Sequence, residues 1–191
     1  MSPRNVCITA VDGNTGFAIA ELILTHADFS KKVDSVTGLA MDLKTQKAQE
    51  LQSMGATVVP HVPGRLKDMA KSLKMMNCDT VCVVPPAHAE KYDICVELVE
   101  AAKQVGIPNV CLISSAGCDY ADSKKQPRLR EFIDLETLVM QTKGDTNTPT
   151  GGSPCVIRYV LEMRTWSSTW TDREISGLAS TPRISFCMHL K

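Results

Sequence analysis

The sequence predicts an α/β fold of the doubly wound kind, a parallel sheet with helices on both faces. Three observations predict it. Short apolar runs alternate with segments of helical period along most of the chain. Those runs are almost continuously apolar, as strands covered on both faces are, rather than alternating. The chain of 191 residues is also long enough to bury one sizeable core.

The first run, Val6 to Val11, reads as strand one, and Phe17 to Leu24 has the period of a helix. Val33 to Ala40 reads as strand two, followed by a helix over Lys44 to Met54 that turns Ala48 and Leu51 inward and ends at Gly55 as its C′ residue. Thr57-Val58-Val59 is a short third strand and Arg65 to Met75 a helix. Asp79 to Val84 is a fourth strand, stopped by Pro85 and Pro86, which remove donors and fix the backbone. Ala89 to Gln104 carries Tyr92, Cys95, Val96, Val99 and Ala102 on one stripe, the mark of an amphipathic helix. Asn109 to Ile113 is strand five. Leu129 to Gln141 is a helix presenting Phe132, Ile133, Leu135, Leu138 and Val139, and Cys155-Val156-Ile157 is a sixth strand.

Composition excludes several classes. Lys plus Arg and Asp plus Glu are both 21, so no basic surplus points to direct nucleic-acid binding. No apolar stretch approaches the length of a membrane span, and the N-terminus lacks the apolar core of a signal peptide. Of the eight cysteines, Cys7, Cys82 and Cys111 sit inside apolar strands and Cys95 on a helix stripe, as buried thiols do. A cytoplasmic or nuclear setting follows as an expectation. The four histidines are scattered without metal-ligand spacing and read as surface or loop residues.

Between strand one and the first helix stands Gly13-Asn14-Thr15-Gly16, leading into Phe17. Glycine there allows a tight turn with positive φ and a close approach of backbone to a pyrophosphate. The N–H groups of the helix N-terminus then hold the anion. Ligands of such sheets bind at the carboxyl ends of the strands, where Asp42, Pro85, Pro86, Ser114 and Ser115 fall.

The order Gly13-Asn14-Thr15-Gly16, Asp79 to Pro86, Val99 to Lys103, Gly106, and Val110 to Gly117 with Ser114-Ser115-Ala116-Gly117 resembles the NmrA-like family of atypical short-chain dehydrogenases. The resemblance spans about residues 4 to 160. It implies a Rossmann-like domain that binds NAD(P) and serves either as a reductase or as a catalytically silent redox regulator. The family's third glycine, three residues after Gly16, is here Ile19, whose branch is expected to push the helix off strand one unless Ala18 or Ala20 makes the contact. The family's arginine after strand two is replaced by Ala40-Met41-Asp42. A carboxylate at Asp42 accepts from a ribose and repels a 2′-phosphate, favouring NAD over NADP, or else caps the next helix. The acidic residue the family places after strand three is replaced in His61-Val62-Pro63.

Tyr120 and Lys124 have the spacing by which dehydrogenases set a tyrosine acid beside a lysine one helical turn away. The segment Asp122 to Pro127 nevertheless reads as loop. Ser114 and Ser115 end strand five where hydroxyls either touch cofactor or substrate or satisfy the backbone as the strand stops. Cys118 reads as an ordinary thiol. Beyond residue 163 the sequence departs from the family, leaving a dinucleotide-binding domain over residues 1–163, a substrate subdomain largely missing, and a polar tail over residues 164–191. Without a covering subdomain, the expected function is a redox-sensing regulator that binds the dinucleotide and acts through a protein partner or homodimer. The alternative is a small NAD(P)H-dependent oxidoreductase acting on a carbonyl or enone through Ser115, Tyr120 and Lys124.

Overall fold

In the computed structural model, residues 4–141 and the backbone of 155–159 are described. Six strands form one parallel sheet: β1 (Asn5–Ile8), β2 (Ser35–Ala40), β3 (Thr57–Pro60), β4 (Thr80–Val83), β5 (Asn109–Ser115) and β6 (Cys155–Tyr159). Their order is β3-β2-β1-β4-β5-β6. The helices are α1 (Asn14–Thr25), α2 (Ala27–Ser30), α3 (Gln46–Ser53), α4 (Leu66–Met75), α5 (Lys91–Val105) and α6 (Pro127–Gln141), with a 3-10 turn over Cys118–Tyr120. This is the Rossmann-like architecture expected, and the order reverses between β1 and β4. The domain boundary at 163 and the polar tail over residues 164–191 lie outside the described residues.

Successive strand residues feed opposite cores, because side chains alternate across a pleat. Cys7, Leu39, Val81, Val83 and Leu112 join Met69, Leu73, Ile94, Leu98 and Leu135 from α4, α5 and α6. Ile8, Val36, Ala40, Cys82, Val84 and Ile113 join Ala20, Ala48 and Leu51 from α1 and α3. Burial on both sides explains the continuous apolar runs. The inward face of α5 differs from the stripe expected: Ile94, Cys95, Leu98, Val99, Ala101 and Ala102 are buried, whereas Tyr92 and Val96 are half-buried. The true stripe is the one that also takes in the long Ile94 and Leu98 side chains.

Helix ends follow local chemistry. Thr45 caps α3 by accepting from Ala48 N at 3.3 Å, and Gly55 (φ 99) follows its C-cap as expected, with Ala56 N donating to Leu51 O at 3.0 Å. Lys91 anchors α6 to α5. Its ammonium donates to Arg128 O, pairs with Glu131 at 3.1 Å and lies 4.7 Å from the Phe132 ring centre. No helix among the described residues is long and apolar enough to cross a membrane.

Candidate functional site

The crevice opens where β1 and β4 part. Thr9, just past β1 and 1% exposed, spans them: its Oγ1 accepts from Val84 N at 2.8 Å and donates to Val84 O at 3.1 Å, and its N–H donates to Cys82 O at 3.0 Å. One hydroxyl thus satisfies both backbone groups of Val84 at the switch point.

Above it lies a loop whose three demanding positions are Ala10, Gly13 and Gly16. A tight turn, a close approach to the ligand and close helix-on-strand packing are the three jobs of a dinucleotide loop. The turn is made by Ala10, at φ 51, and not by the glycines expected to make it. Gly13 is extended (φ −89, ψ 169), so its glycine is not required by backbone conformation. Gly16 does the packing. A Cβ there would lie 2.3 Å from Ala10 O and 2.7 Å from Thr9 O, both rigid backbone. The expectation that Ile19 displaces α1 is therefore corrected: Ile19 only flanks the core, and the close contact is made one turn earlier, at Gly16.

The N-terminus of α1 is open to an anion. Gly13, its N-cap, supplies no side chain, and no acidic residue stands in its first turn. Gly13 and Asn14 are exposed, Thr15 and Phe17 half-buried. The ammonium of Lys47 on α3 donates to Asn14 Oδ1. Asp12 ties this loop to the β2 end, its Oδ2 accepting from Met41 N at 3.0 Å and Asp42 N at 3.1 Å. Asp42 itself is exposed and its Oδ1 accepts from Lys44 N at 2.8 Å, in a turn that precedes the Thr45 cap rather than acting as the cap. Asp12 and Lys47 were not singled out in the sequence; a charge immediately before a glycine turn, or on a helix face, carries no local mark.

Met41 and Val62 stand exposed just past the ends of the adjacent strands β2 and β3. Between them His61 is buried, not a surface residue as expected. It is 3% exposed, and its Nε2 and Glu97 Oε1 are buried without a hydrogen-bond partner. Glu97 Oε2 accepts from Gly64 N at 2.7 Å, holding the β3–α4 turn on α5. Burial lowers the His61 pKa below its ordinary 6.5, with Glu97 and then Asp12 opposing. The unfolded chain then binds the proton more readily, so the fold loses stability as pH falls below about 6.5. His61→Gln should flatten that part of the stability profile in urea titrations at stepped pH; an unchanged slope would remove His61 as its source.

At the far side, Pro85 is half-buried and Pro86 buried, Pro86 O accepting from His88 N at 2.8 Å. Ser114 is buried and donates to Glu136 Oε1 at 2.5 Å; Cys118 Sγ also donates to this oxygen, at 3.6 Å. Ser115 is half-buried, its Oγ 3.5 Å from Ala116 O. Glu136 was likewise missed: only the fold brings α6 to the end of β5. Tyr120 is 91% exposed at the end of the 3-10 turn. Ala121 is extended and Lys124 N donates to Asp122 Oδ1 at 2.8 Å, so no helical turn joins Tyr120 to Lys124.

No family model matches the chain, and a search of curated proteins returns no match. Solved structures do share its fold. It is similar to the Citrobacter sp. triphenylmethane reductase complexed with NADP(H), with a TM-score of 0.62 and 13% identity over 80% of this chain and 48% of that one. The Escherichia coli NADPH-dependent quinone oxidoreductase complexed with NADPH gives 0.62 and 17% over 80% and 48%. The Vitis vinifera leucoanthocyanidin reductase bound to NADPH gives 0.62 and 21% over 81% and 49%. The chain thus spans about half the length of these structures, and at such identities the likeness is one of fold.

Proposed function

We propose that the chain binds NAD(P)(H) over the carboxyl ends of β1, β2 and β4, and that it serves as an NAD(P)H-dependent oxidoreductase acting on a carbonyl or enone in a cytoplasmic setting. The observation that carries this reading is the loop Ala10 to Gly16, in which Gly16 seats α1 directly on β1 and leaves its uncapped N-terminus facing the crevice. Those N–H groups fit a pyrophosphate, and Met41 and Val62 fit the flat faces of an adenine. The likeness in fold to reductases named for NADPH supports the reductase reading, as does the resemblance to the NmrA-like family. The partner-read redox sensor and the homodimer expected from the sequence have no comparable support.

Once bound, the reduced nicotinamide supplies a hydride. The chain's own part is to orient and to move a proton. Thr9 and Pro86 hold the crevice wall; Ser115 offers a hydroxyl at the end of β5; the exposed Tyr120 hydroxyl is the candidate proton donor, and Lys124, with no helical turn joining it to Tyr120, takes no part in that step. Ser114 takes a supporting place through Glu136.

The cofactor preference also changes. The Asp42 carboxylate already takes a backbone N–H, while Lys47 sets a cation at Asn14, on the loop that Asp12 ties to the β2 end. We therefore favour NADP(H), reversing the expectation drawn from Asp42 alone. Calorimetric titration of the full chain should show binding of both dinucleotides, NADPH the tighter. Lys47→Glu should weaken NADPH about tenfold, a loss of about 1.4 kcal/mol, with little change for NADH. Binding of neither dinucleotide overturns the site. A steady-state screen of quinones, aldehydes and enones should lose about a hundredfold in rate with Tyr120→Phe, and an undiminished rate would take Tyr120 out of the mechanism.

A further inference from the structure

At the carboxyl end of β2 the hydrogen-bond ladder of the sheet runs out. Leu39 O accepts from Val11 N at 3.1 Å on one side, and Ala40 O accepts from His61 N at 2.8 Å on the other. The next two amides, those of Met41 and Asp42, belong to exposed residues past the end of the strand. Both donate to a single oxygen, Asp12 Oδ2, at 3.0 and 3.1 Å. Successive backbone N–H groups that converge on one point form a seat for an anion, and here a carboxylate of the chain itself fills it.

Asp12 is fixed in that place by its neighbours. Val11, before it, has no exposure and its side chain lies against Gly38, where an added Cβ would come within 2.7 Å of Val11 Cγ2. Gly13, after it, closes the turn with its N–H donating to Ala10 O at 3.0 Å. The carboxylate therefore projects from a rigid loop. The other acid at this end of the sheet, Asp42, turns its Oδ1 to Lys44 N at 2.8 Å and leaves the two amides to Asp12.

The end of β2 is where sheets of this winding hold the ribose of a dinucleotide. We propose, on the footing that the crevice takes NAD(P)(H) as proposed above, that Asp12 is the residue that discriminates between the two dinucleotides, and that it does so by occupying the place of the 2′-phosphate. A 2′-hydroxyl is a donor and binds the carboxylate as it stands, through Oδ1, while Oδ2 keeps the two amides. A 2′-phosphate is an acceptor carrying a charge of about −1.5 to −2 at neutral pH. It gains the amides of Met41 and Asp42 only when Asp12 yields them, and it meets a like charge until then. Asp12 thus opposes the Lys47 ammonium, which reaches the same loop at Asn14. Lys47 draws the phosphate, and Asp12 limits the gain.

The test is calorimetric titration of the full chain with NADPH and with NADH, in wild type, Asp12→Ala, Asp12→Asn and Asp42→Ala. Asp12→Ala frees both amides and removes the charge, so NADPH affinity should rise about tenfold while that for NADH does not rise. Asp12→Asn keeps an oxygen on the amides and removes only the charge, so its gain for NADPH should be smaller, about threefold. It also carries the test if the alanine variant fails to fold. Asp42→Ala should move the ratio of the two affinities less than either, and the gain in the Asp12 variants should shrink as salt is raised. A ratio unchanged or lowered in both Asp12 variants, or raised as far by Asp42→Ala, would overturn the assignment to Asp12 and leave the dinucleotide site standing. Binding of neither dinucleotide by the wild type would remove the site and this assignment with it.

Discussion

Gly16→Ala should destabilise the fold by about 3 kcal/mol, lowering the melting temperature by about 6–12 °C. The added methyl would sit 2.3 Å from Ala10 O, and its neighbours are backbone atoms at the junction of β1 and α1, which cannot rotate away. Relief requires lifting α1 off the sheet, which also loosens Ala20 and Val11 beneath it. Gly13→Ala is the contrasting case. Its Cβ would lie 3.2 Å from Ala10 O on an exposed, extended residue, so the melting temperature should move little. Equal losses from the two substitutions in calorimetric melts would show that the two glycines do not divide packing from ligand approach as described.

Thr9→Val should cost about 2–3 kcal/mol although it preserves shape, because it strips the partner from both the N–H and the C=O of Val84 in a buried place. Thr9→Ser retains the hydroxyl and should recover most of that loss. The substitution should also relax the β1–β4 separation that opens the crevice, so dinucleotide affinity should fall with stability. Urea unfolding of the three proteins checks the first part; a valine variant as stable as wild type would mean that Val84 finds other partners.

The sheet was legible because its strands are buried on two faces, which writes continuous apolar runs such as Val81 to Val84 into the sequence. Helix ends were legible where a glycine such as Gly55 marked them. The end of β1 was not, since the chain turns at Ala10 and alanine does not advertise a positive φ. That same silence shifted the reading of the glycine loop by one turn, making Ile19 look like a defect and hiding the packing role of Gly16. Thr9 resembles any β-branched strand residue; its bridging hydroxyl exists only once β4 lies beside β1. His61 was read as a loop residue, yet the β3–α4 turn folds over it, pinned by Glu97 from a distant helix. The Tyr120 and Lys124 spacing was visible, but spacing implies proximity only on a helix, and here the chain between them is extended and turned.

The central claim is that the loop Ala10 to Gly16 and the start of α1 hold a dinucleotide pyrophosphate. Its most direct test is a titration of the full chain with NADPH followed through the backbone amide resonances. The account predicts the largest shifts at the amides of Gly13, Asn14, Thr15 and Gly16, with further shifts at Met41 and His61, and their loss in Gly13→Val while the remaining spectrum stays that of the folded protein. Saturating NADPH that leaves those four amides unmoved, or moves them equally in Gly13→Val, would contradict it.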